Sequence, residues 1–431
     1  MKVMWGSPFA AAVPDLPRRI ARYYLYHGLA SFAIWIPFWS LWIRRHLGSD
    51  FELTLVDVVF WVGMLLFQLP AGVISDKYSR KWTLFAGEAF RFLGLLGYAL
   101  GTSFLEYAVA NVLWAVGIVF LVSSDSSFLY DTLAEFGREA EFPAVKGRAT
   151  LLDLFANATG SFLGGYVVAV AGGRLDLVLA VGAAVDIAGG LVILGFREPR
   201  SGRAREVGGV QQIRDGYRVV RRTPGLALII LFEVVITTTI SSFAIFRSIY
   251  YSRLGFPDSQ LGLLWAGFLS VGGISAAASG WAARRLGEER SMALLTVLVG
   301  LPLVGVYAAR DASPWVVLLQ GPLYVAWGLQ TPLIASFINR RIDAAQRATV
   351  LSMAAFVSVL ALLFAEPLVG WLTSVADLYA IGLALGVAQL VPGTWIVHRW
   401  LTSQPRFVPA PVPVPLPFRS RIVERLTRLR P

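Results

Sequence analysis

Twelve stretches of mainly apolar residues, each near the length needed to cross a bilayer, follow one another along this chain. A spanning helix needs about 20 such residues. The stretches run from Tyr23 to Ile43, Leu53 to Ile74, Trp82 to Leu100, Leu105 to Leu129, Thr150 to Val170 and Leu177 to Phe196. After a polar gap come Leu226 to Tyr250, Leu261 to Ala283, Met292 to Ala309, Trp315 to Phe337, Thr349 to Trp371 and Leu378 to Val397. Only 15% of the 431 residues are charged, against about 25% in a soluble globular domain. Lipid therefore has to cover much of the surface, and an all-α membrane protein is expected. The first stretch lacks the short apolar core and cleavage site of a secretory signal and is expected to be retained.

Few kinds of chemistry are open to such a chain. It has no cysteine, which excludes disulfides and thiolate sites, and its three histidines, His27, His46 and His398, are far apart. No dinucleotide fingerprint, phosphate loop or HExxH stands out, so no enzyme, cofactor or metal is expected. The formal charge of +11 is explained by its distribution. With the N-terminus inside, the inner segments carry 31 of the 38 Lys and Arg residues. This positive-inside bias predicts a cell-membrane protein with both termini cytoplasmic, and no nucleic-acid partner.

The longest internal polar segment, Arg197 to Thr223, separates six stretches from six. The expected units are a six-helix bundle over 1–196, a cytoplasmic linker over 197–223, a second bundle over 224–400 and a Pro-rich basic cytoplasmic tail over 401–431. Gln211 to Arg222 reads either as an amphipathic helix on lipid headgroups or as a solvated linker. The two bundles echo each other: Leu47-Gly48 and Leu254-Gly255 end the first and seventh stretches, and Gly72 and Gly280 close the second and eighth. Arg148-Ala149-Thr150 and Arg347-Ala348-Thr349 open the fifth and eleventh. Three matches in order at nearly equal spacing indicate duplication, and twelve helices in two pseudo-symmetric halves are expected, with substrate held between them.

Between the second and third stretches the chain reads Gly72-Val73-Ile74-Ser75-Asp76-Lys77-Tyr78-Ser79-Arg80-Lys81. This resembles the signature loop of the major facilitator superfamily, with Gly72, Asp76, Lys77, Arg80 and Lys81 matching and Ser79 in place of the second glycine. Gly72 is expected to let the helices approach closely. The resemblance implies that Asp76 faces a helix start in the other half, that Asp131 partners Arg80, and that these residues latch the cytoplasmic side. The second half keeps a degenerate copy, Gly280 to Gly287, with Arg284 at the aspartate position. Gly160-Ser161-Phe162-Leu163-Gly164-Gly165 resembles the G-P-x-x-G-G element of the family's drug/proton antiporters, with Ser161 where they have proline. Ala156, Gly160 and Gly164, with Gly165 beside them, also form a small-residue stripe suited to helix packing.

Ionisable groups inside apolar stretches are costly and mark function. Those nearest mid-span are Asp125, Asp153, Asp186, Glu233 and Glu366, with Arg91 as a basic counterpart. Asp57 and Arg247 lie nearer the outer ends, where they can reach the interface, and Glu88 lies nearer the cytoplasmic face. Asp125, in a serine-rich island, and Glu233, followed by Thr237, Thr238, Ser241 and Ser242, are the leading proton-coupling or substrate candidates, ahead of Asp153, Arg91 and Glu366. The alternative for each is a structural ion pair, such as Arg91 with a carboxylate on a neighbouring helix. Trp35, Trp39 and Trp42 read as a cavity wall or as interface anchors.

The resemblance implies a monomeric alternating-access transporter that works in the lipid bilayer on a small molecule. Proton-coupled efflux of amphipathic compounds or drugs, as an antiporter, is expected first. Uptake by a symporter or facilitator of a metabolite such as a sugar or organic acid is second. A receptor or scaffold is a third reading.

Overall fold

A computed structural model of the chain describes residues 15–77, 79–199, 209–309, 312–343 and 346–403. The Pro-rich tail lies outside the described residues. The described chain is helical, with no strand among the described residues. Its elements are α1 (Asp15–Ala30), α2 (Trp39–Leu47), α3 (Asp50–Lys77), α4 (Arg80–Leu100), α5 (Phe104–Ala134), α6 (Phe142–Val170) and α7 (Leu175–Leu194). They continue as α8 (Gly209–Arg222), α9 (Leu226–Arg253), α10 (Asp258–Ala308), α11 (Pro314–Asn339), α12 (Arg347–Val375) and α13 (Leu378–Ser403). Among the described residues, eight helices are long and apolar enough to cross a membrane: α4, α5, α6, α7, α9, α10, α12 and α13.

Local chemistry fixes the ends. Ser103 and Glu106 form a reciprocal capping box at the start of α5. At the start of α4, Ser79 Oγ accepts from the Trp82 amide. The Glu198 carboxylate accepts from the Arg80 and Lys81 amides at 2.8 and 2.9 Å. An anion at a helix N-terminus offsets the unpaired amides and the helix dipole. Gly287, at φ 70°, breaks α10. At 51 residues α10 is about twice as long as one crossing requires, so this break lies between the stretches expected at Leu261–Ala283 and Met292–Ala309.

Packing is most extensive within α3, α4, α5 and α7 and within α10, α11 and α13, while α6 against α10 and α3 against α12 form the seams between these groups. At the first seam a Cβ on Gly165 would collide with the Ser259 carbonyl, and one on Gly262 with that of Ser161. At the second, Gly370 meets the Thr54 side chain.

Four expectations need correction. The stretch Tyr23–Ile43 is two helices, α1 and α2, separated by an irregular segment over 31–38. Gly72 does not serve close packing, because a Cβ there would meet open space. The expected loop at 72–81 is mostly helix, since α3 continues to Lys77 and α4 starts at Arg80. Its degenerate copy is likewise helical up to Gly287. In the last two cases, backbone hydrogen bonds continue through charged residues that the hydropathy pattern had assigned to loops. The 211–222 segment is helical as α8, and its Gly216 packs on Met353 of α12.

Candidate substrate cavity and its buried ionisable groups

The irregular segment between α1 and α2 organises the site. Its carbonyls cannot all bond within a helix, and such backbone is tolerated at membrane depth only inside protein or beside a wet cavity. Arg91 of α4 donates to the Ala30 carbonyl at 3.0 Å. Ser248 of α9 donates to the Pro37 carbonyl at 2.7 Å. The small-residue stripe of α6 makes room: Cβ atoms on Gly160 and Gly164 would strike the backbone of Phe32, Ala33 and Ile34, and Ala156 is buried beside them. The stripe therefore serves this break, while Gly165 faces α10.

Beside the segment lies a cavity of about 600 Å³. Trp35, Trp39 and Trp114 wall one side, and Trp265 of α10 and Trp327 of α11 wall the other. Trp35 and Trp114 meet edge to face at 4.7 Å. Trp35 and Trp39 are thus wall residues, whereas Trp42 donates to the Tyr98 carbonyl at 2.8 Å. Polar groups facing the cavity include Ser31, Asp57, Arg91, Asn111, Asp153 and Asn157. The Trp265 indole N–H reaches Asn157 Oδ1 of α6 at 3.3 Å.

Three ionic clusters adjoin this space. In the first, Arg91 pairs with Glu88 at 3.0 Å and with Asp186 of α7 at 3.0 Å, and its guanidinium lies 4.9 Å from the Trp114 ring. Glu88 is wholly buried, in the first half of α4. In the second, His27 of α1 bridges two carboxylates: Nδ1 is 2.8 Å from Asp153 and Nε2 is 3.1 Å from Asp125. Ser31 donates to Asp153 at 2.7 Å, and Lys146 pairs with Asp125. Sequence reasoning missed His27 and Lys146, because nothing along the chain relates His27 to carboxylates 98 and 126 positions away, or Lys146 to one 21 positions away on another helix. In the third, the carboxyls of Asp57 and Glu366 lie side by side across the α3–α12 seam, and the Trp61 indole donates to Asp57 at 3.1 Å.

Glu233 sits apart from the cavity wall. It is half-buried on α9, and its Oε2 has no hydrogen-bond partner among the described residues. Arg247 is corrected outright. It is 6% exposed and stacks on Trp265 with 3.6 Å between guanidinium carbon and ring centroid.

Of the expected latch, Arg80 pairs with Asp131 and donates to the Ser127 carbonyl at 2.8 Å. Lys81 donates to the Leu194 carbonyl at 2.7 Å. Gly72, Asp76 and Lys77 lie in the last turns of α3, with Lys77 exposed and the Asp76 side chain outside the described residues. At the opposite end of these helices, ion pairs cross between the groups: Arg45 with Asp258 at 2.7 Å, and Arg253 with Asp50 at 2.9 Å.

An all-helical chain with a cavity walled from both sides of two helix seams is the architecture of a membrane transporter. The chain belongs to the Major Facilitator Superfamily, whose family model matches residues 24–366. A relative from Escherichia coli (strain K12), "Probable 3-phenylpropionic acid transporter", is 26% identical over 298 residues, covering 67% of this chain and 74% of that protein. "Uncharacterized MFS-type transporter YxaM" of Bacillus subtilis (strain 168) is 20% identical over 374 residues, covering 85% of this chain and 91% of its own. Among solved structures, the nucleoside transporter NupG superposes with a TM-score of 0.75 at 14% identity, over 89% of this chain and 99% of that one. A bacterial homologue of the human lysosomal transporter Spinster, inward-facing and unoccupied, gives 0.68 at 13% identity, over 91% of this chain and 95% of that one. These structural likenesses support the fold alone.

Proposed function

We propose that this chain is a proton-coupled carrier of a small aromatic carboxylic acid in a bacterial inner membrane. It works by alternating access between two six-helix groups, built from α1–α7 and α9–α13. In this reading α1 with α2 makes one crossing and the broken α10 makes two, for twelve in all. The cavity carries the proposal. Its five tryptophans, with Phe60 and Tyr98 beside them, offer flat apolar faces to an aryl group. The relative named for 3-phenylpropionic acid supports the same class. Both termini are cytoplasmic by the positive-inside bias. The Arg45–Asp258 and Arg253–Asp50 pairs then close the outer end, and the cavity serves the inner side.

Protons are assigned to two places. His27 lies between Asp125 and Asp153, and imidazole is the side chain suited to exchanging a proton near neutral pH. Asp57 and Glu366 adjoin across the seam, where one proton held between them relieves like-charge repulsion.

The second reading is proton-coupled efflux of amphipathic drugs. It is favoured by Asp57 and Asp153 on the cavity wall, which suit a cation. Transport into proteoliposomes separates the two. Under an imposed pH gradient, acid outside, radiolabelled 3-phenylpropionate is expected to enter faster than into protein-free vesicles, and His27→Gln is expected to lower that protein-dependent initial rate about tenfold or more. Uptake no faster than into protein-free vesicles, with gradient-driven movement of a lipophilic cation instead, sinks the acid reading in favour of efflux.

A further inference from the structure

Arg247 is a cation buried without a counter-ion. Among the described residues no carboxylate pairs with it, and its contacts are uncharged: it donates to the Tyr324 hydroxyl and stacks on Trp265. A guanidinium carries five N–H donors in a fixed fork, and most of this fork is unused. Burying such a group unpaired is strongly unfavourable, so buried charges are retained where they meet an opposite charge.

The neighbours are donors in surplus as well. Tyr251 lies one helical turn beyond Arg247 on α9, and Gln320 lies one turn before Tyr324 on α11, so the four side chains come from facing turns of two helices. Gln320 and Tyr251 are each 1% exposed. Gln320 and Tyr251 face each other, and neither the amide atoms of Gln320 nor the hydroxyl of Tyr251 makes any other hydrogen bond among the described residues. Buried polar groups are nearly always satisfied. The cluster therefore gathers one positive charge, an amide and two hydroxyls, with no carboxylate among the described residues to balance it. Trp265 stands at this cluster with its ring on the guanidinium, and it also lines the cavity.

We propose that Arg247, with Gln320, Tyr251 and Tyr324, forms the subsite that takes the carboxylate of the transported acid, while the aryl group stays among the cavity tryptophans. The proposal rests on the aromatic-acid reading for its ligand. The flat fork matches the two oxygens of a carboxylate bidentately. Trp265 is the door: its ring leaves the guanidinium, and its bond to Asn157 breaks, when the carboxylate enters. Entry at this subsite thereby acts on the α6–α10 seam.

The test is isothermal titration of the purified full chain in detergent with three probes: 3-phenylpropionate, its uncharged amide 3-phenylpropanamide, and propionate. Wild type is expected to bind the aromatic acid about tenfold or more tightly than the amide. Arg247→Gln is expected to abolish this preference, the affinity for the acid falling to that for the amide or below. Arg247→Lys keeps the charge without the fork and is expected to lose part of the preference, and it carries the comparison if Arg247→Gln does not purify as a monodisperse protein. An acid preference that survives in the variants overturns the subsite and leaves the acid reading standing. If wild type does not bind 3-phenylpropionate, Arg247-dependent binding of propionate keeps the anion subsite and removes the aromatic-acid reading. Binding of neither anion overturns both.

Discussion

Arg91 shows how much one side chain does here. It caps the broken end of α1 through the Ala30 carbonyl, pairs with both Glu88 and Asp186, and presents its face to Trp114. Removing one member of a buried ionic cluster leaves the others without compensation. Arg91→Met is therefore expected to destabilise the protein by about 3–5 kcal/mol. A thermal-unfolding midpoint in detergent within a degree of wild type would contradict this role. The neutral triple variant Arg91→Met, Glu88→Gln, Asp186→Asn is expected to recover most of the loss, because no buried charge is then unpaired. The sequence singled out Arg91 and the possibility of a carboxylate partner on a neighbouring helix. It gave no means of choosing Asp186, since that pairing depends on α4 and α7 lying side by side.

At the scale of elements, the interrupted α1–α2 segment and the glycines of α6 form one construction. The backbone of Phe32 to Ile34 approaches α6 so closely that a Cβ at 164 would collide with the Ile34 carbonyl and one at 160 would be tightly crowded. Gly164→Val is expected to cost about 1–3 kcal/mol as an overpacking substitution, read as a lower unfolding midpoint. Gly267 of α10, where a Cβ meets nothing within 4 Å, is the control. Gly267→Ala is expected to be neutral or stabilising by up to about 1 kcal/mol, through helix propensity alone. Equal effects at the two positions would refute close approach as the reason for the stripe. The stripe itself was legible in the sequence by its spacing of four. Its partner was not, because the hydropathy pattern read Tyr23 to Ile43 as one continuous helix.

At the scale of the whole molecule, the Arg45–Asp258 and Arg253–Asp50 pairs join the two helix groups at one end. A chain without cysteines allows a clean test of whether this end must open. Arg45→Cys with Asp258→Cys, bridged by a short reducible bis-thiosulfonate, is expected to reduce transport to background and to recover it on reduction. Single-cysteine controls are expected to remain active after the same treatment. Undiminished transport by the bridged protein would exclude opening at this end from the cycle.

The family and the helical membrane class were settled by the sequence alone. Hydropathy, charge asymmetry and a short motif are properties of neighbouring residues, and such properties survive without knowledge of packing. Asp125 and Asp153 were likewise legible as costly charges in apolar stretches. Only the tertiary structure joined them through His27, set Asp57 against Glu366, and moved Arg247 from an expected interfacial position into the interior beside Trp265. Each of these depends on the rotation of a helix about its axis and on which helix lies next to it. A pattern of apolar residues on nearly every face leaves that rotation undetermined, and contacts between distant helices are what fix it.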